Sequence, residues 1–342
     1  MKKKLFFFVA CVWVLCGCTC NKPAKESFAS WNECEALTAL QEYVEDVTNP
    51  HSVHFIPAED RIATFDMDGT FLGELDPTYF EYSLLEYRAL EDSTYTAPAD
   101  VRSAALAIRD FVRNGTPLPD HFDLIHAHAA AKAYAGMTIP EFDEYVSAYA
   151  EKSAWGFRGM TYAESFYRPM LEVFEYLEAH DFTYYVVSGS DRFLCRSLVR
   201  PLGIAPNRVI GMDVQLCTSK QGKTDGVDYT MEREEQVLRT DKLLIKNLKT
   251  NKVLQIMQEI GKVPVLTFGN SGGDCAMHNL CLSNSYRCAA FMLVADDETR
   301  DYANREKALT LADKWREAGY YVISMRDDFK TIYGNGVEKT GR

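Results

Sequence analysis

Apolar residues along the chain recur in two rhythms, short continuous runs and a spaced repeat of three to four. The runs predict strands over 61–65, 182–187, 208–212, 263–268, 289–294 and 320–324. The spaced repeat predicts helices. One carries Trp31, Leu37, Leu40, Val44 and Val47 up to Asn49-Pro50, with Ser30 and Glu33 as a capping box at its start. Others are expected over 99–113, 121–135, 166–179, 191–202, 251–260 and 300–318. Helix starts are marked by Asp76-Pro77, by Thr96 before Pro98 and by a second capping box, Thr138 with Glu141. A glycine-rich, charged stretch at 218–230 reads as a hairpin or loop.

Strands that alternate with helices bury both faces of a parallel sheet. The pattern therefore predicts an α/β fold, a doubly wound Rossmann-like core formed by 30–75 and 166–342. Between strand 61–65 and helix 166–179 no period-two alternation occurs, so 76–165 is expected to be an inserted helical cap lying over the core as a lid.

The N-terminus follows another logic. Lys2, Lys3 and Lys4 precede an apolar stretch from Leu5 to Leu15, too short for a comfortable membrane span but right for a signal sequence. It ends in Leu15-Cys16-Gly17-Cys18, which resembles a bacterial lipobox. The expectation is a signal peptide over 1–17, lipid attachment at Cys18, a tether over 18–29, and a protein exported to the bacterial cell envelope and held on a membrane by its lipid. A plain secretory leader is the alternative. Losing 1–17 removes three lysines and no acid, taking the formal charge from −12 to −15. Such a surface repels phosphate backbones, so nucleic acid is not an expected partner. Six cysteines lie beyond the leader region, and their spacing selects no disulfide pairing and no zinc site.

Three predicted strands end in polar residues. The first delivers Asp66-Met67-Asp68-Gly69-Thr70, the second Ser188-Gly189-Ser190, and a later one Gly269-Asn270-Ser271-Gly272-Gly273-Asp274, with Lys252 opening the helix before it. Ligands in open parallel sheets bind beyond the carboxyl ends of the strands, which is where these residues are expected. Lys246 and Lys242 compete with Lys252, which is favoured by its distance from Gly269.

In order and spacing these segments resemble the four motifs of the haloacid dehalogenase superfamily, and the insertion after the first resembles the type 1 helical cap of its phosphoserine phosphatase-like members. Starting the fourth motif with Gly-Asn-Ser resembles a branch of exported or uncharacterised phosphatase-like members. The resemblance implies a Mg²⁺-dependent phosphomonoesterase acting on small phosphorylated metabolites. Asp66 would be the nucleophile and form an aspartyl-phosphate. Asp68 would protonate the leaving oxygen and then activate water. Ser188, Gly189 and Lys252 would hold the phosphoryl group. Metal ligands would be Asp66, the backbone carbonyl of Asp68 and Asn270, with Asp274 supporting them. Asn270 departs from the commoner aspartate and removes one negative charge, which implies weaker metal affinity.

Substrate choice would lie in the cap. Its aromatics, among them Tyr79, Tyr82, Tyr87, Phe122, Tyr134, Tyr145, Trp155 and Phe157, read as core more readily than as a cage for a quaternary ammonium. His121, His126 and His128 lack a second cluster to complete a metal site. Glu74 could meet a substrate ammonium. Alternatives to hydrolysis are phosphoryl transfer to an acceptor alcohol and a lipid-anchored binding protein with a weak site. Nothing in the sequence speaks to oligomeric state.

Overall fold

The computed structural model describes residues 28–74 and 78–340 of the 342-residue chain. The signal peptide, the lipidation residue Cys18 and the Asp76-Pro77 helix start lie outside the described residues.

Helix α1 (Glu35–Thr48) leads to β1 (Ile62–Phe65), whose four residues are all buried. Four helices follow before the next core strand: α2 (Phe80–Leu90), α3 (Ala99–Asn114), α4 (Phe122–Ala133) and α5 (Ile139–Ala150). A two-residue strand, β2 (Phe157–Arg158), and α6 (Arg168–Ala179) return the chain to the sheet. The remainder comprises β3 (Thr183–Asp191), α7 (Arg192–Val199), β4 (Val209–Thr218), β5 (Val237–Ile245), α8 (Thr250–Glu259), β6 (Leu266–Gly269), α9 (Cys275–Leu282), β7 (Ala289–Val294), α10 (Arg305–Glu317), β8 (Tyr321–Ser324) and β9 (Glu338–Lys339).

Seven strands form one sheet in the order β5-β4-β3-β1-β6-β7-β8, and β2 pairs with β9 apart from it. Every neighbouring pair is parallel except β4 and β5, which run antiparallel at one edge. The expected doubly wound α/β core is present. From β1 the chain builds outward through β3 and β4, then crosses back to start the other half at β6. The carboxyl end of β1 is therefore the point where the winding reverses, which in open sheets leaves a crevice.

Beneath that crevice an aromatic ladder crosses the sheet. Phe65 and Phe268, opposite each other in the β1–β6 register, stack at 4.3 Å, and Phe268 stacks on Phe291 at 5.0 Å in the next register. Such pairs are worth about 0.5–1.5 kcal/mol each beyond their burial. They stiffen the two strands that carry the acidic pair and the Gly-Asn-Ser segment.

The edge strand β5 faces two ways. It pairs with β4 on one side, and on the other its Arg239 exchanges backbone hydrogen bonds with the 136–138 loop of the inserted helices: Gly136 N donates to Arg239 O at 2.8 Å and Arg239 N to Met137 O at 2.9 Å. The Arg239 side chain is fully buried and grips Asp191, the residue that caps α7, at 2.5 and 3.1 Å. No helix among the described residues is long and apolar enough to cross a membrane.

Several boundaries differ from those the sequence predicts. The first helix starts at Glu35 with Cys34 as its cap, and the Ser30/Glu33 box does not form. Ser30 instead donates to Glu172 from both backbone and hydroxyl, and buried Trp31 donates to Pro169 O and bridges Phe329, so the segment before Cys34 is held out of a helix. The Thr138/Glu141 box is formed as expected. Strand β5 is absent from the sequence expectation, because Val237 to Ile245 mixes apolar and charged residues in the manner of an edge. Helix α10 begins at Arg305 rather than 300. Asp297 accepts from Thr299 and Arg300 N–H groups and winds a turn there, and Asn304 caps the helix.

Candidate active site

Asp66 leaves β1 with its N–H still bonded to Phe268 O of β6 at 3.0 Å, so its position is fixed by the sheet. Beyond it the backbone folds back sharply. Met67 O accepts from Thr70, Phe71 and Leu72, and Gly69 adopts a left-handed φ of 78°. A Cβ at Gly69 would lie 1.9 Å from Asn270 Nδ2, so glycine lets the two loops meet.

Lys252, on α8 and fully buried, places Nζ 2.5 Å from Asp66 Oδ1 and 2.7 Å from Asp274 Oδ1. Asp274 Oδ2 accepts from the N–H groups of Asn270 and Ser271 and from the Ser271 hydroxyl, at 3.0–3.1 Å. Both its oxygens are thus occupied, and Asp274 braces the loop and the lysine. Its closeness requires Gly269, where a Cβ would lie 2.6 Å from Asp274 Cβ. Lys246, which competes with Lys252 in the sequence, instead reaches Glu81 Oε1 at 2.9 Å.

Asp68 Oδ2 accepts from Ser190 Oγ at 2.8 Å, and Oδ1 is buried with no partner. Burial, with Glu81 next, raises the Asp68 carboxyl to about 7, against the lowering effect of Ser190. Burial and the neighbouring Asp274 also raise Asp66, while Lys252 pulls it down. Burial works to lower Lys252, but the carboxylates of Asp274 and Asp66 outweigh it and hold the ammonium above its ordinary range.

Asp66, Asp68, Gly189, Lys252, Asn270 and Asp274 line one cavity of about 200 Å³ together with Ser190, Glu81, Lys246, Tyr79, Tyr82 and Asp123. Ser188 stands one layer behind this wall, fully buried, its hydroxyl accepting from Ser190 N at 3.0 Å. Gly189 packs on Leu248, which would lie 2.6 Å from a Cβ there. Sequence reasoning misses Ser190, although it sits in the Ser188-Gly189-Ser190 segment. It also misses Glu81 and Asp123, which only the tertiary fold brings to the site. Cys18 lies outside the described residues.

Glu74 lies beside the site, accepting from Asn270 Nδ2 at 2.7 Å, and burial raises its carboxyl to about 7. It orients Asn270 rather than lining the cavity. His126 is buried, with ring nitrogens 3.3 Å from Glu81 O and 3.6 Å from Glu81 Oε1.

The donor set can be tested against a hard divalent cation. Asp66 Oδ2 and Asn270 Oδ1 have no hydrogen-bond partner among the described residues, and the Asn270 amide nitrogen is held by Glu74. Oxygen donors from two or three residues suit Mg²⁺, which keeps much of its water. No cluster of three His, Cys, Asp or Glu side chains able to hold a metal occurs among the described residues. The oxygen donors present fit a cation that takes few protein ligands.

No protein-family model matches the chain, and no curated protein matches it. Among solved structures, a conserved protein of unknown function from Anaerococcus prevotii is similar with a TM-score of 0.53 at 14% identity, covering 91% of this chain and 98% of its own. The two share a fold. Cytosolic 5'-nucleotidase IIIB bound to cytidine is similar at a TM-score of 0.47 and 12% identity, covering 84% of each chain. A phosphoserine phosphohydrolase-like protein from Francisella tularensis gives 0.40 and 14%, covering 77% of this chain and 94% of its own. The sheet is the doubly wound one that the sequence predicts, and the segments carrying Asp66, Gly189, Lys252 and Asn270 meet at its reversal point.

Proposed function

We propose that the chain is a phosphomonoesterase of the haloacid dehalogenase type, acting on small phosphorylated metabolites through an aspartyl-phosphate at Asp66. The observation that supports this reading best is the Lys252 ammonium held between Asp66 and Asp274, with Asp68 lining the same small cavity. Phosphate monoester hydrolysis is among the slowest uncatalysed reactions, and positioning with charge neutralisation is what accelerates it. Asp66 is fixed by the sheet and attacks phosphorus with a carboxylate oxygen. Lys252 offsets the negative charge that this brings together. Asp68, whose carboxyl sits near neutrality, can give a proton to the leaving oxygen and later take one from the attacking water. Gly189 and Ser190 form the wall that phosphoryl oxygens meet, and Ser188 fixes the turn behind them.

Mg²⁺ is the proposed cofactor, supplying further charge neutralisation when bound. Asp66, the Asp68 backbone carbonyl and Asn270 would hold it, and Asp274 supports the loop. The small cavity favours small esters. Export and a lipid anchor at Cys18 complete the proposal, based on the leader alone.

Turnover of a generic phosphomonoester by the full-length protein, with and without Mg²⁺, tests the reading. The wild type is expected to be active with metal and Asp66→Asn inactive; full activity in that variant would overturn the nucleophile assignment. Mass spectrometry of the N-terminal peptide from protein made in a bacterium tests the anchor, expected as a diacylglyceryl group on Cys18.

A further inference from the structure

Helix α9 starts immediately after Asp274 and ends near Cys281, and Cys288 lies one residue before β7. The chain between them closes on itself: Asn284 N donates to Cys281 O at 3.0 Å, and Tyr286 N to Asn284 Oδ1 at 3.1 Å. Cys281 is fully buried and its Sγ points along this closure, 3.7 Å from Ala289 O, the residue next to Cys288. Cys288 is half-buried, with Sγ 3.2 Å from Tyr286 O. Each thiol is among the groups that shift the other's ionisation, as side chains lying beside each other do. Three of the other described cysteines have different neighbours: Cys34 meets Asp328, Cys275 meets Tyr320, and Cys195 meets Ser188.

We propose that Cys281 and Cys288 form a disulfide site, closed by a small-molecule disulfide acting as oxidant. Cys288 is the accessible partner, and its contact with Cys281 lowers its thiol below the usual range. Its thiolate attacks one sulfur of the oxidant, forming a mixed disulfide and expelling the other half as a thiol. Cys281 then attacks Cys288 Sγ, and the second half leaves as a thiol. Two protein thiols are oxidised, one small disulfide is reduced to two thiols, and both protein protons leave on those thiols. The bond ties the end of α9 to the start of β7. It thereby fixes the helix that begins at Asp274, and such a bond persists in the oxidising compartment that the leader implies. The inference rests on the thiol geometry and stands whether or not the chain is a phosphatase.

Trypsin reads the bond directly, because cleavage after Arg287 separates the two cysteines into fragments 263–287 and 288–300. The folded full-length protein is incubated with oxidised glutathione, its remaining thiols are blocked, and it is digested. The two fragments are expected to run as one species that parts on reduction. Cys275 shares the first fragment, so the cross-link should survive Cys275→Ser and vanish in Cys281→Ser and Cys288→Ser. Thermal melting of the oxidised protein should drop by a few degrees on adding reductant, and in Cys288→Ser it should not respond. Unlinked fragments after oxidation, or a cross-link lost in Cys275→Ser, would overturn the proposal.

Discussion

Ser190 Oγ donates to Asp68 Oδ2 at 2.8 Å, while the other Asp68 oxygen is buried without a partner. One side of the carboxyl is thus committed and the other is left for a proton. A hydrogen bond to the charged form lowers a carboxyl pKa, so its loss raises it. Ser190→Ala is expected to move the limb of the pH–rate profile that reports Asp68 to higher pH, by up to about one unit for a bond worth roughly 1 kcal/mol. A profile superimposable on the wild type would separate Ser190 from the acid/base step.

Lys252 neutralises two buried carboxylates at once. Lys252→Ala leaves Asp66 and Asp274 facing each other without a cation, a change of the kind that costs about 3–5 kcal/mol. Urea denaturation at pH 7 should show that loss, and turnover should fall by roughly 10²-fold or more. If Asp66 and Asn270 hold Mg²⁺ as proposed, the same variant with the cation should recover part of the stability, because a ligand that binds only the folded state stabilises it.

Adding a charge at Asn270 has a consequence visible only in the structure. Asn270 Nδ2 donates to Glu74 Oε1 at 2.7 Å, so Asn270→Asp turns a hydrogen bond into a contact between two carboxyl groups. The gain in Mg²⁺ affinity expected from the charge alone is then offset by repulsion. Metal titrations of the two single variants and the double variant should show tightest binding when Asn270→Asp is combined with Glu74→Gln, which restores a donor. Equal affinity in the single and double variants would contradict this coupling.

Two buried histidines weaken the fold toward acid pH, against the buried carboxyls of Asp66, Asp68 and Glu74, whose raised pKa values act in the opposite direction. Burial lowers both His126 and His278 to about 4. An unfolded histidine titrates near 6.5, so between pH 6.5 and 4 the unfolded chain binds protons that the folded chain does not. The histidine contribution is therefore retained above pH 6.5 and is lost as pH drops toward 4, by up to about 3 kcal/mol for each residue. Denaturant midpoints measured from pH 7 to 4.5 in wild type and His278→Gln isolate this contribution: the variant should gain on the wild type as pH falls, and a constant difference would contradict it. His278 Nδ1 lies 3.4 Å from Thr267 Oγ1 and Nε2 3.0 Å from Phe291 O, and the residue does not line the cavity, so this variant reads stability.

The strands and the acidic pair are legible because they depend on local sequence. A buried run such as Ile62 to Phe65 declares itself, and Asp66, Lys252 and Asp274 fall at the ends of elements whose periods are visible. The Glu81–Lys246 pair is not legible. Its partners lie 165 residues apart, and nothing near either one requires the other. Ser190 escapes for a different reason: in sequence it is one more polar residue after a strand, and only the fold aims its hydroxyl at Asp68. Strand β5 is hidden because an edge strand carries charges that break the apolar rhythm. The unformed Ser30/Glu33 box shows tertiary contacts overriding a good local signal, since Trp31 gains more from burial than from helix.

The backbone bonds between Arg239 and the 136–138 loop join the inserted helices to a strand that follows them by about one hundred residues. Exchanging the inserted helices with those of another protein would therefore need two separate segments, the insert and the β4–β5 hairpin, moved together. Transplanting 76–165 alone would leave an uncovered sheet edge and take the Phe142 ring away from the buried Arg239 guanidinium, a chimaera prone to stick to other strands before it ever met a substrate.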